Sequence, residues 1–276
     1  MELPTGSAAP VAEGFSVHGE RRIKKTIYTL NLNGYAPAIR ELTYPLMHHY
    51  ARKINADFVE ITERRFPDWP ITLEKWQVAR LAVERDDEWS IFLDADTLVS
   101  PEMFDPTELV HKDTVFHNGK DFANIRWTYD KYFRRDGRNI GSCTWFIAAS
   151  DLCVEDLYHF PDLPLEECLR RIHITIQEAN GGQCKTEHLV DDFNMSRNIA
   201  RFGLKFRTVQ EIGGELGWKM PDGKGISPYL FHMYSITMEE KLGRMLDVLT
   251  KPQAQGGWQL MGADQAAEFK KRWGLK

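Results

Sequence analysis

No CxxC pair occurs in the sequence, and its four cysteines, Cys143, Cys153, Cys168 and Cys184, stand far apart. This spacing argues against a structural zinc site or a disulfide framework; reduced thiols in a cytoplasmic protein are expected instead. No apolar run approaches the roughly 18–20 residues of a membrane-spanning helix, so stable membrane insertion is not expected. The opening segment lacks the basic start and apolar core of a secretory signal, and residues 1–21 read as a flexible tail. Positive charge is not in excess either. A formal net charge of -5 and a pI near 6.0 argue against a nucleic-acid or membrane-surface binder, which would carry a basic face. Internal repeats and low-complexity tracts are also missing.

What is present is a globular pattern. With 276 residues, 42% of them hydrophobic, the chain can bury one large core. A strand is expected over Thr26–Leu30, ending in a polar Asn-Leu-Asn-Gly turn. A helix follows from Pro37 to Ile54, with Ile39, Leu42, Leu46 and Tyr50 at helical spacing. "ADFVEITE" reads as a second strand. "TLEKWQVARLAVERDDE" reads as a second helix, with Thr72 as N-cap and Trp76, Ala79 and Val83 on one face. Ser90–Leu93 is the third strand. Strand, helix, strand, helix, strand predicts an α/β fold with a mainly parallel central sheet flanked by helices, whose ligands bind at the carboxyl ends of the strands. Further on come a strand in "CTWFIAAS", preceded by Arg138, Asn139 and Gly141, and a helix over 168–180 stopped by Gly181-Gly182. An acidic helix lies in "TEHLVDDFNMSRNIARFG", a strand end in "YLFHMYS", and two amphipathic stretches follow Met238.

The chemistry concentrates where the third strand ends. Asp94 and Asp96 form an Asp-x-Asp at that end, and carboxylate oxygens there suit Mn²⁺ or Mg²⁺ bridging to a diphosphate. The plainer role for such acids is capping a turn. His232, after a late apolar strand, is the candidate third ligand. Asp191 and Asp192 could position an acceptor hydroxyl or stabilise positive charge developing on a sugar, or simply favour a helix N-terminus. Lys75 and Arg80 are candidates for phosphate contact, and Trp69, Trp127 and Trp145 for stacking on a sugar or base. Asn194 begins an "NMS" glycosylation pattern, which carries little weight without a secretory signal.

"EKWQVARLAVERDDEWSIFLDADTLVS", "GSCTWFIAAS", "EHLVDDFNMS" and "FHMYSITMEEK" together resemble the nucleotide-sugar glycosyltransferases of GT-A fold. The resemblance is to their retaining groups, the fungal α-mannosyl/α-galactosyl transferases and the glycogenin-like enzymes. It implies a Rossmann-like GT-A domain over residues 22–240, with 241–276 as a C-terminal helical extension packed on it. It implies Mn²⁺ or Mg²⁺ held by Asp94, Asp96 and His232, and the donor base and ribose at Tyr28, Thr29 and Asn31. Lys75 and Asp94 would also contact the donor, Gly141 and Ser142 would face donor and acceptor sugars, and Asp191 or Asp192 would lie near the anomeric carbon. Two departures stand out: a second Asp, Asp192, replaces the Gln of the glycogenin-like pattern, and "HMYSITMEEK", with Lys241, replaces its Lys-Pro-Trp ending.

The expected activity is therefore metal-dependent transfer of a hexose from a UDP- or GDP-sugar to a glycan or other hydroxyl acceptor, with retention. "FLDADTLV" also fits the haloacid-dehalogenase-like phosphatases, with Asp94 as nucleophile, Ser150 at a strand end, Lys185, and Asp191-Asp192 as a metal pair. That alternative leaves the Lys-Trp segment and His232 without a role. A non-enzymatic sugar-nucleotide binder is a third class.

Overall fold

The computed structural model describes residues 23–118, 130–138, 144–172, 185–218, 227–233, 236–252, 255 and 257–275. The expected N-terminal tail therefore lies outside the described residues, as do Gly141, Ser142, Cys143, Cys184, Trp127, Asn139 and most of the segment read as a helix over 168–180.

β1 (Lys25–Leu30) is rich in β-branched and aromatic residues and is almost wholly buried, as expected of a strand covered on both faces. It pairs in parallel with β2 (Asp57–Ile61) on one side and β3 (Trp89–Leu93) on the other. After the short β4 (Leu98–Val99) come β5 (Thr114–His117), β6 (Phe146–Ser150) and β7 (Lys205–Thr208). The main sheet has the order β2-β1-β3-β6-β5-β7, and only β6 runs antiparallel to its neighbours. This is the expected mainly parallel α/β sheet. β4 instead pairs with β8 (Leu230–Phe231) in a separate two-stranded ribbon.

Helix α1 (Pro37–Lys53) opens with Pro37, whose ring pre-sets a helical φ and whose missing N–H is not needed there. It buries Met47 and Tyr50 against β1 and β3 on one face of the sheet, and Ile39 and Leu42 beside Leu98 of β4. The next helical segment differs from the sequence expectation. Ile71–Trp76 is a 3-10 turn entered from Pro70, and the α-helix proper, α2, spans Gln77–Arg85. A 3-10 turn advances 120° per residue rather than 100°, so it resets the helical phase. Val78 and Ala82 are therefore buried while Val83 is 58% exposed, and Thr72 caps nothing.

α3 (Lys131–Asp136), α4 (Val154–Leu157) and α5 (Leu165–Arg171) cover the other face together with α6 (Val190–Phe202). The start of α5 at Leu165 lies three residues before the expected one. α6 ends at Gly203, whose φ of 65° suits a left-handed cap. α7 (Val209–Glu215) opens with a Thr208–Glu211 capping box. α8 (Met238–Thr250) and α9 (Ala263–Trp273) share an apolar cluster with α1 through Leu242, Met245, Leu246, Leu249 and Phe269. Among the described residues no helix is long and apolar enough to cross a membrane.

Candidate active site

The carboxyl edge of β3 is where the chain gathers charge. Asp94 and Thr97 close a tight turn through the Thr97 N–H and the Asp94 carbonyl (2.9 Å), and the Asp94 N–H donates to the Trp145 carbonyl (2.9 Å). The Thr43 hydroxyl of α1 supports the turn from below by donating to the Ala95 carbonyl (2.7 Å). Because β6 is antiparallel, its leading residues rather than its last ones meet this edge. The pairing Leu93↔Phe146 thus sets Thr144 and Trp145 beside Asp94.

His232 arrives by another register. β4 leaves the acidic turn and pairs antiparallel with β8, Leu98↔Phe231, so the position after Phe231 stands next to the acids. The His232 Nε2 lies 3.2 Å from an Asp96 oxygen and 4.0 Å from one of Asp94. One donor atom each from Asp94, Asp96 and His232 all fall within 4.8 Å of one another. Two carboxylates and an imidazole converging at that spacing fit a divalent cation, and the nitrogen ligand suits Mn²⁺ better than Mg²⁺, which demands oxygen.

Two lysines hold these acids. Lys241, from the first turn of α8, pairs with Asp96. Lys75, in the 3-10 turn and only 2% exposed, contacts Asp94 (3.0 Å), Asp191 (2.7 Å) and the Thr144 hydroxyl (3.1 Å). Burial would lower the Lys75 pKa, but Asp191 and Asp94 outweigh it and the ammonium is held charged. Burial raises Asp94, opposed by Lys75 and reinforced by Asp96. Burial acts on Asp96 in the same sense, yet His232 and Lys241 reverse it, and this carboxyl stays ionised well below the usual range.

Asp191 and Asp192 occupy the first turn of α6 and part company there. Asp191 is buried and tied to Lys75 and to the Thr144 hydroxyl (2.7 Å), while its Oδ1 is buried with no hydrogen-bond partner. Asp192 is half-buried, accepts from the Thr144 N–H (3.1 Å), and is pushed well up by burial and by neighbouring Asp191.

At the β1 end, Thr29 is fully buried with an unpartnered Oγ1. Asn31 donates to Glu60 (2.6 Å) and keeps a buried, unpartnered Oδ1. Tyr28, also expected at the donor, stands apart from these two. Strand alternation turns it to the opposite face, where it is fully buried and its hydroxyl donates to Asp87 at the other edge of the sheet.

Other expected contacts fall elsewhere. Arg80 pairs with Glu84 on the exposed face of α2, away from any acid of the site. Trp69 packs edge-on against Phe160 (5.5 Å), and Trp145 stacks on the His232 ring rather than standing open to a sugar. Asn194 is buried and bonded to the Val190 carbonyl (2.8 Å), which closes it to glycosylation. Ser150, read as part of a phosphatase site, pairs with Trp89 at the far edge of the sheet, and its hydroxyl donates to the Lys112 carbonyl. Lys185 is exposed. The phosphatase alternative thereby loses the serine that would sit beside its nucleophile.

Tyr35 was not singled out by the sequence. Left-handed backbone at Asn33, Gly34 and Ala36 (φ 54°, 66° and 36°) swings the link between β1 and α1 over the acidic turn. Tyr35 is 38% exposed, and burial together with the Asp96 and Asp94 charges raises its pKa.

No family model matches the sequence, and no curated protein does. Among solved structures, a glycosyltransferase involved in the glycosylation of the major capsid of PBCV-1 is similar over 82% of this chain and 100% of that one, at 11% identity and a TM-score of 0.46. A197 from STIV is similar over 51% of this chain and 70% of that one, at 11% identity and a TM-score of 0.31.

Proposed function

We propose that this protein is a metal-dependent glycosyltransferase that moves a hexose from a nucleoside-diphosphate sugar to a hydroxyl of a glycan or other acceptor. The observation that carries the reading is the convergence of Asp94, Asp96 and His232 at the carboxyl edge of β3. The family resemblance of the surrounding segments and the mainly parallel sheet support it.

In this reading Asp94, Asp96 and His232 hold Mn²⁺, or less favourably Mg²⁺, and the bound cation would neutralise charge developing on the leaving diphosphate. Without it, Lys75 opposes the upward shift of Asp94, and His232 and Lys241 hold Asp96 ionised. Thr29 and Asn31 stand at the β1 end where the resemblance puts the base and ribose, with unpartnered oxygens closed to solvent in the unliganded fold. Asp191 anchors Lys75, and Asp192, the less buried of the two, is the carboxyl assigned to the neighbourhood of the anomeric centre. Gly141 and Ser142 keep the donor- and acceptor-facing role that the resemblance implies. Retention of anomeric configuration rests on that resemblance, and action in the cytoplasm on the widely spaced cysteines without a CxxC pair.

The test is a thermal-shift screen of UDP, GDP and their common sugars, each with Mn²⁺ and with EDTA. Ligands that bind only the folded state raise its melting point by mass action. A manganese-dependent rise with one nucleotide supports the transferase and names its base. Absence of any nucleotide-dependent rise, with or without Mn²⁺, sinks the reading. Product NMR then decides between retention and inversion.

A further inference from the structure

A histidine that binds a metal through one ring nitrogen normally donates its other N–H to a carbonyl or carboxylate, which fixes the tautomer and the ring plane. His232 departs from that arrangement. Its Nε2 faces Asp96 and Asp94, while its Nδ1 is buried with no hydrogen-bond partner. What touches the ring is the indole of Trp145, stacked at a centroid distance of 4.9 Å and an interplanar angle of 16°. A stack of this kind fixes the tilt and height of the imidazole plane, the two quantities that decide where Nε2 points.

Trp145 has a second hold on the same site. Its backbone carbonyl accepts from the Asp94 N–H (2.9 Å) and lies 3.5 Å from the Thr97 hydroxyl, a longer contact. One residue at the head of β6 therefore sets both the acidic turn on β3 and the imidazole that follows β8. Neither element pairs with the other in the sheet. Its indole is only partly exposed and packs on the cluster containing Leu93, Phe146 and Leu230, which ties the stack to the core.

We propose that Trp145 is the positioning residue of this ion site and acts through His232, by stacking, in place of a hydrogen bond to Nδ1. The inference rests on the metal-dependent reading above. Trp145 does not touch the ion or the sugar; it holds the ligand that does.

The experiment measures Mn²⁺ binding by electron paramagnetic resonance of the free ion, with UDP and separately with GDP. It compares wild type, Trp145→Leu, Trp145→Phe, His232→Ala and the Trp145→Leu/His232→Ala double variant. The His232 ring proton resonance, assigned by its loss in His232→Ala, is followed in metal-free protein. In wild type it should lie upfield, shielded by the indole face. Trp145→Leu should release that shielding and weaken Mn²⁺ about 10–100-fold, the usual loss when the group orienting a ligand is removed. Trp145→Phe, which keeps an aromatic face, should retain most of the affinity. The double variant should bind no more weakly than His232→Ala, because both changes remove the same interaction.

Unchanged affinity in Trp145→Leu, or losses that add in the double variant, overturn the inference and leave the metal reading standing. A wild type that binds no Mn²⁺ with either nucleotide overturns both. Should Trp145→Leu fail to fold, an unshielded His232 resonance in wild type, or a Trp145→Phe protein as weak as His232→Ala, would refute the stack on its own.

Discussion

Lys75→Met tests the electrostatic core of the site most directly. Methionine keeps much of the stem volume and deletes only the ammonium. That ammonium is 2.7 Å from Asp191 and 3.0 Å from Asp94, and both Lys75 and Asp191 have side chains 3% exposed. Water therefore screens the Asp191 contact very little, whereas the Asp94 carboxylate, 23% exposed, recovers part of its loss by hydration. Breaking a buried pair by removing one partner costs about 3–5 kcal/mol, and the Asp191 contact accounts for most of it. Against a domain stability of about 5–15 kcal/mol the variant should still fold, though marginally.

The pH dependence gives the sharper signature. Without Lys75, the Asp94 carboxyl loses the charge that opposes its upward shift, so its folded pKa stands further above its unfolded one. The folded state then binds more protons than the unfolded state, so stability falls as pH rises through the folded value. The deficit relative to wild type should be larger at mildly alkaline pH than at mildly acidic pH, measured by urea unfolding with far-UV circular dichroism in EDTA. Lys75→Met/Asp191→Asn should recover part of the loss at the higher pH, since no unpaired charge is left at position 191. A deficit under about 1 kcal/mol, or one of equal size at both pH values, would refute the argument that Lys75 neutralises buried carboxylates.

Asp96→Ala should abolish the manganese-dependent melting shift and lower transfer on the order of 100-fold or more; manganese-dependent turnover at the wild-type rate would remove Asp96 from the ion site. His117, fully buried on β5, has its pKa pushed by burial from 6.5 down to about 4. The unfolded chain then binds the extra proton between those values, so stability drops by about 3 kcal/mol as pH falls through the window. His117→Gln should flatten that slope, and unfolding curves parallel to wild type across the window would contradict it. A Cβ at Gly213 would stand 2.8 Å from Trp218 Cε3 and 2.9 Å from Tyr229 Cε2, close to the start of β8. Gly213→Ala should cost about 1–3 kcal/mol in urea unfolding, and an unchanged midpoint would show that the two rings yield freely.

Strands were the legible part of the sequence, for a physical reason. β1 and β3 are central parallel strands, and burial on both faces demands the apolar runs that make them easy to read. The Asp-x-Asp stood out because it follows such a run. Tyr28 and Thr29 were both expected at the donor, and strand alternation puts them on opposite faces of β1. The phase of the 71–85 segment was lost because Pro70 leads into a 3-10 turn, which leaves no distinct hydrophobic period. Tyr35 depends on three left-handed backbone positions, one of them an alanine whose sequence gives no hint of that geometry. Lys241 was noticed only through the family resemblance. On an amphipathic helix it looks like any solvated lysine, and the contact that matters is 145 residues away in sequence.

That separation has a consequence for synthesis on the ribosome. Asp96 emerges early, but its two close partners, His232 and Lys241, follow well over a hundred residues later. At about 5–20 residues per second, the acidic turn spends on the order of ten seconds without them. During that interval the β3 edge presents two carboxylates with neither imidazole nor lysine alongside Asp96, and β4 has no ribbon partner. The cluster of Asp94, Asp96, His232 and Lys241 cannot assemble on the nascent chain until the segment carrying β8 and the first turn of α8 has left the exit tunnel. A ribosome stalled between codons 210 and 230 would therefore carry every strand of the main sheet and an incomplete acidic cluster.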